Sequence, residues 1–134
     1  MKLILLGMNH RSAPIELRER LAVDESGPLL RKLVAADEIE EAVLLSTCNR
    51  VEVLALTRSL DAARHRLRAF FSRDLVRDGG PTDFALDDVT YQLCDGEAVS
   101  HLFRVAAALD SMVVGEPQIL GQVKDAYRAA VDCG

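Results

Sequence analysis

Hydrophobic and polar positions follow two different periods along this chain, and the order in which the periods alternate predicts its architecture. Lys2 to Met8 is an apolar run too short for a helix that meets polar residues at Asn9, so it reads as a buried first strand with Gly7 near its end. Pro14 pre-sets a helical φ and predicts a short helix over Ile15 to Ala22. Ser26 and Pro28 repeat the start signal for a second helix, whose apolar stripe is Leu29, Leu30, Leu33 and Val34. Ala42 to Leu45 is apolar again and leads into Ser46-Thr47-Cys48-Asn49-Arg50. Beyond it Val51, Val53 and Ala55 face one way while Glu52, Leu54 and Leu56 face the other, which predicts a β-hairpin turning near Cys48 to Arg50. Only Asn49 readily tolerates positive φ there, so the turn type stays open.

Ser59 caps a long helix in which Leu60, Ala63, Leu67, Phe70, Phe71 and Leu75 keep helical spacing, and Gly79-Gly80-Pro81 ends it. Val89, Tyr91 and Leu93 alternate with Thr90 and Gln92 as a fourth strand. The order β, α, β, β, α, β over residues 1–94 is that of a ferredoxin-like antiparallel sheet with helices on one face, an α/β (α+β) fold. Residues 95–134 read as a helical segment. Asp95 is the N-cap, Ala98, Leu102, Val105, Ala106 and Leu109 form one stripe, Asp110 to Glu116 interrupts it, and Pro117 opens a last helix. The sequence stops at Cys133-Gly134 straight after that helix, which is expected of a domain cut from something longer.

At 134 residues and 49% hydrophobic, the chain has the size and apolar content of one globular domain. No apolar run is long enough for a signal peptide's h-region or a membrane span, so a soluble cytoplasmic protein is expected. Three cysteines, Cys48, Cys94 and Cys133, form no CxxC pair and suggest neither a disulfide framework nor a metal site. A net charge of -5 gives no overall attraction for phosphate backbones. The basic cluster Arg64, His65, Arg66, Arg68, Arg73 and Arg77 reads first as a solvated helix face, and second as a local phosphate contact.

Cys48 stands apart from the other two thiols because it lies in a polar stretch between two apolar strands, with Arg50 two residues on to hold a thiolate or an anionic substrate. Cys94 ends a strand and Cys133 ends a helix, ordinary places for structural thiols. His101, beside Leu102 and Phe103, reads on its own as a structural histidine, and His10 as a loop side chain able to hold the next turn. Glu116-Pro117-Gln118 reads as a capped helix entry or as a site for an amino acid's charged groups. No glycine-rich turn follows a strand, so no dinucleotide site is expected.

Three stretches together resemble the glutamyl-tRNA reductase family: Gly7-Met8-Asn9-His10-Arg11-Ser12-Ala13-Pro14, then Ser46-Thr47-Cys48-Asn49-Arg50-Val51-Glu52, then His101 to Val105 through Leu109-Asp110-Ser111-Met112 to Gly115-Glu116-Pro117-Gln118-Ile119-Leu120-Gly121-Gln122-Val123. Ala108 stands where the family usually has glycine. The resemblance implies an amino-terminal catalytic domain over residues 1–134, with the NADPH-binding and dimerisation domains absent. It implies that Cys48 attacks the ester of glutamyl-tRNA(Glu) and that the resulting thioester is reduced with NADPH to glutamate-1-semialdehyde, the first step of five-carbon tetrapyrrole (porphyrin, heme) synthesis. Thr47, Asn49 and Arg50 would frame the glutamyl group, Ser111, Glu116, Pro117, Gln118 and Gln122 would complete its pocket, and His101 matches a position important for activity. Arg50 would pair the side-chain carboxylate and Glu116 the ammonium. A full-length homodimer is implied, and glutamate-1-semialdehyde aminomutase, the next pathway enzyme, is a candidate partner. The competing readings are a non-catalytic module that binds tRNA or a regulatory partner, and a free-standing cysteine hydrolase or acyltransferase.

Overall fold

The computed structural model describes residues 1–21, 27–47, 49–75 and 86–106. Four strands, β1 (Lys2–Asn9), β2 (Glu41–Ser46), β3 (Arg50–Thr57) and β4 (Tyr91–Cys94), form one sheet in the order β2-β3-β1-β4, and every neighbouring pair is antiparallel. This is the ferredoxin-like order expected from the alternating periods. The helices are α1 (Ile15–Arg20), α2 (Gly27–Val34), α3 (Leu60–Ala69), α4 (Leu86–Val89) and α5 (Asp95–Ala106), with a π-helical turn over Phe70–Asp74 extending α3.

The pleat sorts the sheet into two different faces. Ile4, Leu6 and Met8 of β1, Ala42 and Leu44 of β2, and Val51, Val53 and Ala55 of β3 point to one side. There they pack with Leu17 of α1, Leu30 and Leu33 of α2, Ala63 and Leu67 of α3, and Phe70 and Phe71 into the main core. Ser59 starts α3 as expected, its hydroxyl accepting the Ala62 N–H at 3.3 Å. The π-helical turn places consecutive residues Phe70 and Phe71 both in the core, with their rings edge-on and centroids 6.2 Å apart.

On the second face α5 lies against β1 and β4. Leu5 and Leu45 are buried on it, and Ala98, His101 and Val105 are the buried side of the helix. Ala98 and Val105 are buried as expected, but the stripe is corrected at Leu102, which is half-buried while His101 takes the inward position. Asp95 opens the helix in the left-handed region at φ 48°, and its carboxylate accepts the Leu3 N–H at 2.9 Å, which fastens the start of α5 to β1. A second correction falls on Val89. It belongs to the one-turn helix α4, whose Leu86 carbonyl accepts both the Thr90 N–H at 3.1 Å and the Thr90 hydroxyl at 2.6 Å, so β4 begins only at Tyr91.

Ala22, Ser26, Gly79-Gly80-Pro81 and everything expected beyond Ala106 lie outside the described residues. Among the described residues no helix is long and apolar enough to cross a membrane.

Candidate functional site

The hairpin between β2 and β3 closes on Thr47. Its N–H donates to the Arg50 carbonyl at 2.8 Å, and its hydroxyl accepts the backbone N–H groups of Asn49 at 3.1 Å and Arg50 at 3.2 Å. One threonine thereby satisfies two successive donors at the end of the ladder, the local bonding for which short hydroxyl side chains are favoured in turns. Thr47, Asn49 and Arg50, three of the residues expected to frame a substrate, are all buried here. Cys48, the expected nucleophile, lies outside the described residues, as do Ser111, Glu116, Pro117, Gln118 and Gln122.

Arg50 and Glu52 are two residues apart on β3 and share the face that α5 covers. Cross-strand pairing puts Leu45, Glu52, Gly7 and Tyr91 in a single row over the four strands. Gly7 is the gap in that row. A Cβ there would stand 2.7 Å from Cγ of Glu52 and 3.1 Å from the Val51 carbonyl oxygen, so the Glu52 side chain occupies the space that any other residue at position 7 would fill. Gly7 lies near the end of β1, as expected, and its place there serves close approach.

From this position the Glu52 carboxylate divides its two oxygens. Oε1 accepts from Nη1 of Arg50 at 2.8 Å, and Oε2 lies 2.5 Å from Nε2 of His101 on α5. The Tyr91 ring packs against the imidazole, centroids 5.3 Å apart at 56°. Arg50 is 0% exposed, Glu52 4% and His101 5%, so the three form one buried polar string under the hairpin. Such a string is tolerable only because each charge faces a bonded partner, since a lone charge there would cost several kcal/mol. Chemically it combines a buried guanidinium near the hairpin end with an imidazole held by a carboxylate, the parts needed to bind an anionic group and to move a proton. Among the described residues no group of three His, Cys, Asp or Glu side chains is placed to hold a metal ion.

The family profile described as "Glutamyl-tRNAGlu reductase, N-terminal domain" matches residues 6–134. The chain belongs to the glutamyl-tRNA reductase family. Among curated proteins the glutamyl-tRNA reductase of Syntrophobacter fumaroxidans is 48% identical over 97% of this chain and 28% of its own length. That of Rubrobacter xylanophilus is 49% identical over 98% of this chain and 30% of its own length. Among solved structures the glutamyl-tRNA reductase from Methanopyrus kandleri superposes with a TM-score of 0.73 at 36% identity, over 98% of this chain and 29% of that one. The chain thus spans about three tenths of the glutamyl-tRNA reductases it matches.

Of the residues expected from the resemblance, the structure connects Thr47, Asn49 and Arg50 to His101, and the connection runs through a residue not singled out from the sequence, Glu52. In the sequence it shows only as a carboxylate alternating with Arg50, Leu54 and Leu56 on one strand face, and its register with Gly7 is visible in the sheet alone. The turn after β1 is held by Asn9, whose side-chain oxygen accepts the N–H groups of Arg11 at 2.9 Å and Ser12 at 3.2 Å. Cys94, the one thiol among the described residues, is half-buried on the edge strand β4, beside the Gln92 amide.

Proposed function

We propose that this chain is the part of a glutamyl-tRNA reductase that receives the glutamyl group, and that the complete enzyme then reduces that group with NADPH to glutamate-1-semialdehyde. In this reading residues 1–94 supply the sheet and the hairpin and residues 95–134 the helical wall. The NADPH-binding and dimerising parts would lie in the length of the relatives that this chain does not span. The described residues themselves do not fit a nicotinamide dinucleotide. All strand pairs are antiparallel, no strand runs through a glycine-rich turn into a helix, and Gly7 is used to seat Glu52. No step through the nicotinamide is therefore assigned to these residues.

The step assigned to this domain is acyl transfer. The Cys48 thiolate attacks the ester carbonyl carbon, a C–S bond forms, the C–O bond to the terminal ribose breaks, and the ribose oxygen leaves with a proton. A thioester suits the later reduction because sulfur delocalises into the carbonyl less than oxygen does. Thr47 and Asn49 would hold the glutamyl group at the hairpin end, Arg50 would face its side-chain carboxylate, and Ser111, Glu116, Pro117, Gln118 and Gln122 would complete the pocket. His101 would assist the proton's passage or orient the ester. What supports this is the buried Arg50–Glu52–His101 string directly beneath the Thr47 hairpin end, in a chain of this family.

The test is single-turnover acylation. Full-length enzyme mixed with glutamyl-tRNA in the absence of NADPH should yield a glutamyl adduct on Cys48 by mass spectrometry, and Cys48→Ser should yield none. An adduct that persists in Cys48→Ser, or sits on another residue, would overturn the reading.

A further inference from the structure

We propose that Glu52 is the positioning residue of this site: seated over Gly7, it couples the hairpin to α5 by holding Arg50 with one oxygen and His101 Nε2 with the other, and so sets the imidazole's tautomer. The inference rests on the proposed acylation at this site and adds to it the residue that orients the proton carrier.

Four observations carry it. First, Arg50 can only donate, and its Nη1 is 2.8 Å from Oε1, so the carboxylate meets it as an acceptor. In the ion pair that Arg50 and Glu52 form, the second oxygen offers only lone pairs, and the 2.5 Å contact from Oε2 then points to a hydrogen on Nε2 of His101. In the neutral ring the lone pair, and with it the capacity to take up a proton, is then at Nδ1. Second, the geometry is locked from the backbone upward. Glu52 lies opposite Gly7 in the β1–β3 register, and the missing Cβ is what admits its side chain. Third, Tyr91, the residue opposite Gly7 on its other side, is against the imidazole, so the ring is bounded by both neighbours of the glycine. Fourth, the contact joins positions 49 residues apart, one on β3 and one on α5. A carboxylate that orients an imidazole is a recurring way of fixing which ring nitrogen does the chemistry.

Substitution Glu52→Gln discriminates this from a purely structural role. Arg50 still needs an acceptor, so the amide turns its oxygen to Arg50 and its NH2 to His101, and the hydrogen must move to Nδ1. Two-bond ¹H–¹⁵N spectra of the histidine-labelled chain, read above the ring's own titration midpoint, should show Nε2–H in the wild type and Nδ1–H in Glu52→Gln. In full-length enzyme the variant should acylate from bound glutamyl-tRNA about 10–100-fold more slowly, with its affinity for glutamyl-tRNA changed by less than about threefold. Wild-type protein showing the Nδ1–H tautomer would overturn the inference whether or not the variant folds. A folded Glu52→Gln that acylates at the wild-type rate would do so too. Run beside them, Cys48→Ser separates the two claims: an adduct surviving in it refutes the acylation reading, whereas loss there with an unaffected Glu52→Gln refutes only the role of Glu52.

Discussion

Arg50 and Glu52 are opposite charges on one strand face, and neither would be tolerated in that position without the other. Replacing Arg50 by Met leaves the Glu52 carboxylate buried with the imidazole as its remaining partner on this string. The expected loss is about 3–5 kcal/mol, read as a lower urea midpoint with an unchanged slope. Gly7→Ala acts on the same pair through sterics, because its Cβ would meet Glu52 Cγ at 2.7 Å and the rigid Val51 carbonyl at 3.1 Å. A destabilisation of about 1–3 kcal/mol is expected from such overpacking, and thermal unfolding measures it. At this scale the sequence was legible wherever a residue's own chemistry spoke. Arg50 and His101 could be picked out, from a motif, as candidates. The partner that joins them could not, since alternation assigns Glu52 to a face but does not say that a helix will cover that face. Only the register with Gly7 makes the carboxylate's place comprehensible.

Among the elements, α3 tests how far local signals govern stability. Its cap is a single bond from Ala62 to the Ser59 hydroxyl, so Ser59→Ala should cost about 1 kcal/mol in chemical denaturation. Phe70→Ala, which empties a fully buried site at the π-helical turn, should cost about 3–5 kcal/mol on the same measurement. Strand β3 was readable because a strict period of two has no helical counterpart, and the start of α3 because its cap acts within one turn. Strand β4 was read two residues too long for the opposite reason. Val89 and Thr90 alternate with their neighbours as a strand would, but the Leu86 carbonyl captures both donors of Thr90 and closes a helical turn. The inward stripe of α5 was misjudged because the period was scored on apolar residues alone, so His101 was passed over in favour of Leu102.

For the molecule as a whole, the proposed division of labour predicts that these 134 residues oxidise no NADPH when mixed with glutamyl-tRNA, while a full-length relative does so under the same conditions. NADPH absorbance measures both, and oxidation by the chain alone would contradict the assignment of the nicotinamide to another part. Topology was the most legible property at this scale, because six periodic segments in the order β, α, β, β, α, β leave few sheets to choose from. The central place of β1 has a consequence for biosynthesis. Lys2 to Asn9 is made before both its neighbours, and the Leu3 N–H finds its carboxylate on a residue 92 positions downstream. At about 5–20 residues per second, a ribosome leaves that apolar segment without its last partner for several seconds. Slowing translation between positions 57 and 91 should therefore lengthen the exposure of β1 and raise the aggregated fraction of nascent protein.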